Sequence, residues 1–122
     1  MKIVYVAGRF NADTHWEVEQ NVRRAEALAM EVARLGAMPL TPHCNTRNFH
    51  GLSGVTHEFW YEGTLELLRR CDALILVPGW EGSKGTAAER EEAFRKHIPQ
   101  FHDLRSLQDW LDRGAPTYKE DV

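Results

Sequence analysis

The sequence predicts an α/β protein with a three-layer Rossmann-like or flavodoxin-like fold around a four- to five-stranded parallel sheet. Two observations predict it. Short apolar runs alternate with stretches of helical periodicity in a β-α-β-α-β-α-β-α order, and the strongest run, Ala73-Leu74-Ile75-Leu76-Val77, is unbroken, as in a strand buried on both faces. Such alternation makes the strands parallel and the crossovers right-handed. Helices then cover both faces, and ligands bind beyond the carboxyl ends of the strands.

Lys2 to Ala7 is rich in Val, Ile and Tyr and stops at Gly8, which makes it the first strand. Thr14 and Glu17 have the spacing of a capping box, and Val18, Val22, Ala25, Ala29 and Val32 then recur at helical spacing up to Gly36. Ala37 to Leu40 is a short second strand, closed by Pro39 and Pro42. His43 to His57 is polar, contains glycine and has no period; a loop of that length is usually functional or mobile. The second helix runs from about His57 to Arg70 and carries Phe59, Trp60, Leu67 and Leu68, after which Asp72 introduces the mid-sheet strand. Beyond the loop Pro78 to Thr86 come a helix from about Thr86 to His97, a short strand Ile98 to His102, and a helix around Leu104 to Arg113 with Leu107, Trp110 and Leu111 on its apolar side. Residues 1–113 are expected to form a single domain, with 114–122 a frayed C-terminal tail.

Length and charge exclude several classes. At 122 residues a two-domain protein is excluded, and no stretch approaches the roughly 20 apolar residues that span a bilayer. The net charge of −3 means that an anionic ligand must be held by local geometry, so neither nucleic acid nor membrane is an expected partner. The opening MKIVYVAG reads directly as a strand, without the regions of a secretory signal, and a cytoplasmic location is expected. Cys44 and Cys71 are too few for a disulfide scaffold and are expected to be reduced thiols. His43, Cys44, His50 and His57 are of metal-ligating type but lack zinc-site spacing, so neither a metal nor a cofactor is expected.

Two segments at strand carboxyl ends carry more Gly and polar residues than a plain connection needs: Gly8-Arg9-Phe10-Asn11, and Pro78 to Thr86. Both should border one cleft. In the second, Gly79, Gly82 and Gly85 expose N–H groups just before a helix, where a phosphate or carboxylate is favoured by the helix dipole, while Ser83 adds a hydroxyl and Lys84 a cation. The same string also reads as a mobile Gly-rich turn capped by Ser or Thr. Glu89, three residues after Thr86, falls in the first turn of that helix; the dipole there favours the ionised form that a carboxylate nucleophile needs. The competing reading is an acid that merely complements the dipole, and Arg9 can equally be an ordinary surface arginine. His43, at the end of the second strand, is a candidate base contact. Trp16, Phe49, Trp60 and Trp80 offer aromatic faces, with Trp80 the foremost stacking candidate because it lies in the loop itself.

The strings VAGRF, LELLRRCDALILVPGW and SKGTAAE together resemble the nucleoside 2-deoxyribosyltransferase superfamily over residues 2 to 101, nearest to its small phage and bacterial uncharacterised members and to the deoxynucleoside 5'-monophosphate N-hydrolases. The resemblance implies that Glu89 attacks the anomeric carbon of a nucleoside or nucleotide and forms a covalent glycosyl intermediate, which is hydrolysed or passed to another base. Six residues before that glutamate the nucleoside transferases carry aspartate and the monophosphate hydrolases serine; Ser83 therefore implies a 5'-monophosphate, with Gly8, Arg9, Phe10, Lys84, Gly85 and Thr86 around it. A less close likeness, to the PGGxGTxxE stretch of cytokinin-type phosphoribohydrolases, does not fit in spacing. Two positions depart from the superfamily pattern. Thr64 stands where it sets a catalytic aspartate, and Tyr5 stands one residue from the register of a strand tyrosine that holds the glutamate, so that Glu58, Glu62, His43 or Asn45 would have to substitute. The resemblance also implies a homodimer or larger assembly. The enzyme reading is accordingly a nucleotide N-glycosidase or N-deoxyribosyltransferase; the alternatives are a non-catalytic sensor of nucleotide or ADP-ribose-like ligands and a structural subunit with an empty loop.

Overall fold

The computed structural model describes residues 1–45, 49 and 51–117 of the chain. Four strands, β1 (Ile3–Ala7), β2 (Met38–Leu40), β3 (Ala73–Leu76) and β4 (Gln100–Phe101), form one sheet in the order β2-β1-β3-β4. Every pairing is parallel. Five helices connect or follow them: α1 (His15–Arg34), α2 (Pro42–Asn45), α3 (His57–Arg69), α4 (Lys84–Arg95) and α5 (Leu104–Asp112). The expected α/β architecture is what forms.

Side chains of a strand alternate between faces, and the two faces are sorted accordingly. Val4 and Val6 of β1 join Ala73, Ile75 and Val77 in a core closed by Ala25 and Val32 of α1 and by Leu107 and Trp110 of α5. On the other face Tyr5 and Ala7 join Leu74 and Leu76 against Leu65 and Leu68 of α3 and Ala93 of α4. Both central strands are thus covered on both sides, and Val4 to Ala7 and Ala73 to Ile75 have no exposed surface. The Asp72 carboxylate accepts from the Ile3 N–H at 2.8 Å, which pins the start of β3 to the start of β1.

Helix ends follow the local chemistry. Thr14 caps α1 by accepting from the Glu17 N–H, as its spacing predicts, and Thr56 and Asp103 do the same for α3 and α5. α4 begins earlier than its sequence suggests. Ser83, not Thr86, is its N-cap, so Lys84, Gly85 and Thr86 form its first turn and Glu89 lies in the second. Beyond α5, Ala115 is buried and the Trp110 indole N–H donates to the Pro116 carbonyl at 2.9 Å; residues 118–122 of the expected tail lie outside the described residues.

The chain runs from β1 outward to β2 on one side and through β3 to β4 on the other. The order therefore reverses between β1 and β3, and the crevice beyond their carboxyl ends is the place where this fold binds ligands.

Candidate active site

At the end of β1 the backbone turns out of the sheet through Gly8. A Cβ there would lie 2.6 Å from the Val77 Cβ, so only glycine lets the two central strands end side by side. Arg9 follows, and its guanidinium donates to the Glu81 carbonyl at 2.8 Å, which ties the loop after β1 to the loop after β3. Gly82, at φ +84°, makes the turn that brings the second loop back, and a Cβ there would crowd Arg9 Nη2 at 3.1 Å. The Asn21 amide, buried on α1, donates to the Phe10 carbonyl at 3.0 Å and fixes the other end of the first loop.

These loops enclose a cavity of about 490 Å³ at the carboxyl edge of β1 and β3. Of the residues singled out in the sequence, Gly8, Arg9, Phe10, His43, Thr64, Ser83, Lys84, Gly85, Thr86 and Glu89 line it. Trp80 does not. Its ring is covered by the Arg90 guanidinium, 4.5 Å from the ring centroid, and by His102; Arg90 is itself held by Gln100. The cavity takes its aromatic surface from Phe10, Phe49, Trp60 and Tyr61 instead, with Phe49 and Trp60 in tilted contact at 5.7 Å. Trp16 is exposed on the rim of a neighbouring cleft.

Ser83 Oγ accepts from both the Thr86 N–H, at 3.3 Å, and the Thr86 hydroxyl, at 3.1 Å. Two accepted bonds leave its own O–H available as a donor. The N–H groups of Lys84 and Gly85 begin the helix and have no carbonyl within it to bond, and both residues line the cavity. Backbone N–H groups, a hydroxyl and the Lys84 cation at a helix N-terminus are the donors from which an anion site can be built.

Glu89 projects from the second turn of α4 and its Oε2 accepts from the Tyr5 hydroxyl. Tyr5 is therefore the tyrosine that holds the glutamate, contrary to the register argument. Alternation places Tyr5 on the α3–α4 face with Leu74 and Leu76, which is the face from which α4 presents Glu89. Burial raises the Glu89 carboxyl to about 7, against which the Tyr5 hydrogen bond works in the opposite direction. The helix dipole, expected to favour the ionised form, acts within the first turn, and Glu89 lies beyond it. Burial, together with the Glu89 charge, raises Tyr5 well above its ordinary value, so the phenol stays a donor.

His43 is buried in the wall with Nε2 3.0 Å from the Arg9 carbonyl, and burial lowers its pKa. A carbonyl only accepts, so Nε2 carries the proton of a neutral ring; Nδ1 has no partner among the described residues. Thr64 spends its hydroxyl on its own helix, donating to the Trp60 carbonyl at 2.8 Å. Among the described residues no three His, Cys, Asp or Glu side chains are grouped to hold a metal ion, and His50 lies outside the described residues. No helix among them is long and apolar enough to cross a membrane.

The architecture is that of the 2-deoxyribosyltransferase Rossmann-like fold. A 2-deoxyribosyltransferase from Bacillus psychrosaccharolyticus superposes with a TM-score of 0.60 at 16% sequence identity, over 94% of this chain and 96% of that one. The family described as a domain of unknown function, DUF7768, matches residues 2–102, and the chain belongs to that family. No curated protein matches the sequence.

Proposed function

We propose that the protein cleaves the sugar–base bond of a nucleoside 5'-monophosphate, as an N-glycosidase or N-deoxyribosyltransferase. The observation that carries this reading is the placement of Glu89, held by Tyr5, in one cavity with the N-terminus of α4 and its Ser83 and Lys84. Phosphate binds at Ser83, Lys84 and Gly85, with the Arg9 guanidinium beside them against Glu81 and Gly82; the base lies among Phe10, His43, Thr64 and Trp60. Glu89 then attacks C1' to form a glycosyl ester, and water or a second base resolves it with retention. Binding the remote phosphate orients C1' against the carboxylate, an effect that supplies several kcal/mol in reactions of this type. Deoxyribosyl transfer by the enzyme of the same fold supports the choice of bond.

The test is to incubate the protein with a panel of 5'-monophosphates and measure free base. Release by the wild type that falls at least about 1000-fold in Glu89→Ala is expected for a nucleophile. No release from any nucleotide rejects the reading. In that case the second one, a nucleotide or ADP-ribose-like sensor, is favoured by Thr64, whose hydroxyl is turned to its own backbone. It requires calorimetric binding that survives Glu89→Gln and is lost in Ser83→Asp.

A homodimer or larger assembly working on nucleotides in the cytoplasm belongs to the same proposal. Phe59 on α3 and Phe94 on α4, 61% and 78% exposed, are apolar surface that a second copy would cover. Sedimentation of the wild type against a Phe94→Glu variant tests it.

A further inference from the structure

We propose that the preferred substrates are nucleotides whose base is already cationic through its ring nitrogens, such as an N-glycosyl pyridinium or an N7-alkylated purine. This rests on the N-glycosidase reading above and names its substrate class.

A neutral base leaves as an anion unless something protonates it, and a positioned acid is worth roughly 10²- to 10⁴-fold in rate. Among the described residues, the side chains beside Glu89 and the base have their protons engaged elsewhere, and the Ser83 hydroxyl serves the phosphate. Tyr5 gives its hydroxyl proton to Glu89, Thr64 gives its own to the Trp60 carbonyl, and His43 directs its N–H at the Arg9 carbonyl. His57, Tyr61 and Lys84 also line the cavity, but all three are exposed, where water competes for them. Glu89 is the one carboxylate among the described residues of the wall, and the reaction uses it as nucleophile. Nucleophile and acid cannot be the same group.

A cationic base removes the need. Glu89 attacks C1' as the C1'–N bond breaks; the bonding pair passes to the ring nitrogen, cancels the positive charge, and the base leaves neutral without taking up a proton. Water then attacks C1', the bond to the Glu89 oxygen breaks, and the water's proton goes to solvent, leaving sugar 5'-phosphate and the free carboxylate. The charges of the cavity match such a zwitterion. Arg9 and Lys84 suit the phosphate, whereas Glu89 and the faces of Phe10, Phe49 and Trp60 attract a cationic ring.

Matched substrates test this: N7-methylguanosine 5'-monophosphate against GMP, with nicotinamide mononucleotide as the pyridinium, each corrected for release without protein. The expected result is kcat/KM at least about 100-fold higher for the two cationic nucleotides, the share a general acid would have supplied. Thr64→Asp, which adds an acid to the wall, is expected to narrow the gap by raising release from GMP. Wild-type protein that cleaves GMP as fast as its methylated partner, or cleaves GMP and neither cationic nucleotide, overturns the proposal while leaving the N-glycosidase reading intact. Release from no nucleotide of either kind overturns both.

Discussion

Glu89 is stabilised in its neutral form by the burial that aims it, and this has a measurable sign. Its folded pKa of about 7 lies above its ordinary value of 4.5. Between the two the native state holds more protons than the unfolded chain, so this residue's contribution to stability is greatest below pH 4.5. It is lost as pH rises through 7, by about 3 kcal/mol in all. Glu89→Gln, which keeps an acceptor for Tyr5, should therefore melt higher than wild type at pH 8 and equally at pH 4; an equal offset at both values would contradict the shift. Under the proposed mechanism activity has the opposite dependence, because attack by Glu89 would need the carboxylate: kcat/KM should climb with pH to a plateau above about 7. Tyr5→Phe, which removes the hydrogen bond that favours the charged form, should move that limb to higher pH. The glutamate and the donors that precede it were legible because Ser, Gly and Glu stand at fixed offsets along one helix. The Tyr5 contact is legible too, because the period-two rule sets Tyr5 on the face opposite Val4 and Val6, whereas the superfamily register points the other way. The raised pKa was not legible, since burial depends on residues distant in sequence.

At the scale of elements the limits lie at helix ends and in loop direction. Gly82 and Gly85 make the string around Ser83 read as loop, yet glycine in a first turn gives up no hydrogen bond, and with Ser83 as cap α4 begins at Lys84, two residues before Thr86. Ser83→Ala should cost about 1 kcal/mol of stability from the cap alone. Trp80 misled for a different reason: a loop position says nothing of the side to which a ring turns, and the Arg90–Gln100 pair on the far side of α4 claims it. The C-terminus of α4 carries a correctable strain. The Ile98 N–H returns to the Ala93 carbonyl and the His97 N–H to Phe94, a Schellman end in which His97 takes φ +58°. α1 and α5 end in the same way with Gly36 and Gly114 at that position. His97→Gly should raise stability by about 1 kcal/mol; a neutral or negative change in chemical denaturation would show that the site is not strained.

For the whole molecule, the alternation of strand and helix was enough to give the layers, the parallel sheet and the edge at which the site lies, because few topologies satisfy short right-handed crossovers. The distribution of stability over the sheet follows. β1 and β3 are paired on both edges and covered on both faces, whereas β2 is a sheet edge of three residues with Pro39 in it. Hydrogen exchange should be slowest at residues 4–7 and 73–77 and markedly faster in β2 and α2. Equal protection across the sheet would mean that the edge is closed by something else, such as a second copy.

The same strand order shapes how the chain is made. Ile3–Ala7 is synthesised early but is completed on its second edge only by Ala73–Leu76. At roughly 5 to 20 residues per second, translation leaves it for several seconds as a half-paired apolar ribbon. During that interval an unpaired edge can recruit a neighbouring nascent chain. Yield in a heterologous host should therefore respond to trigger-type chaperones and growth temperature more strongly than the stability of the finished protein would indicate.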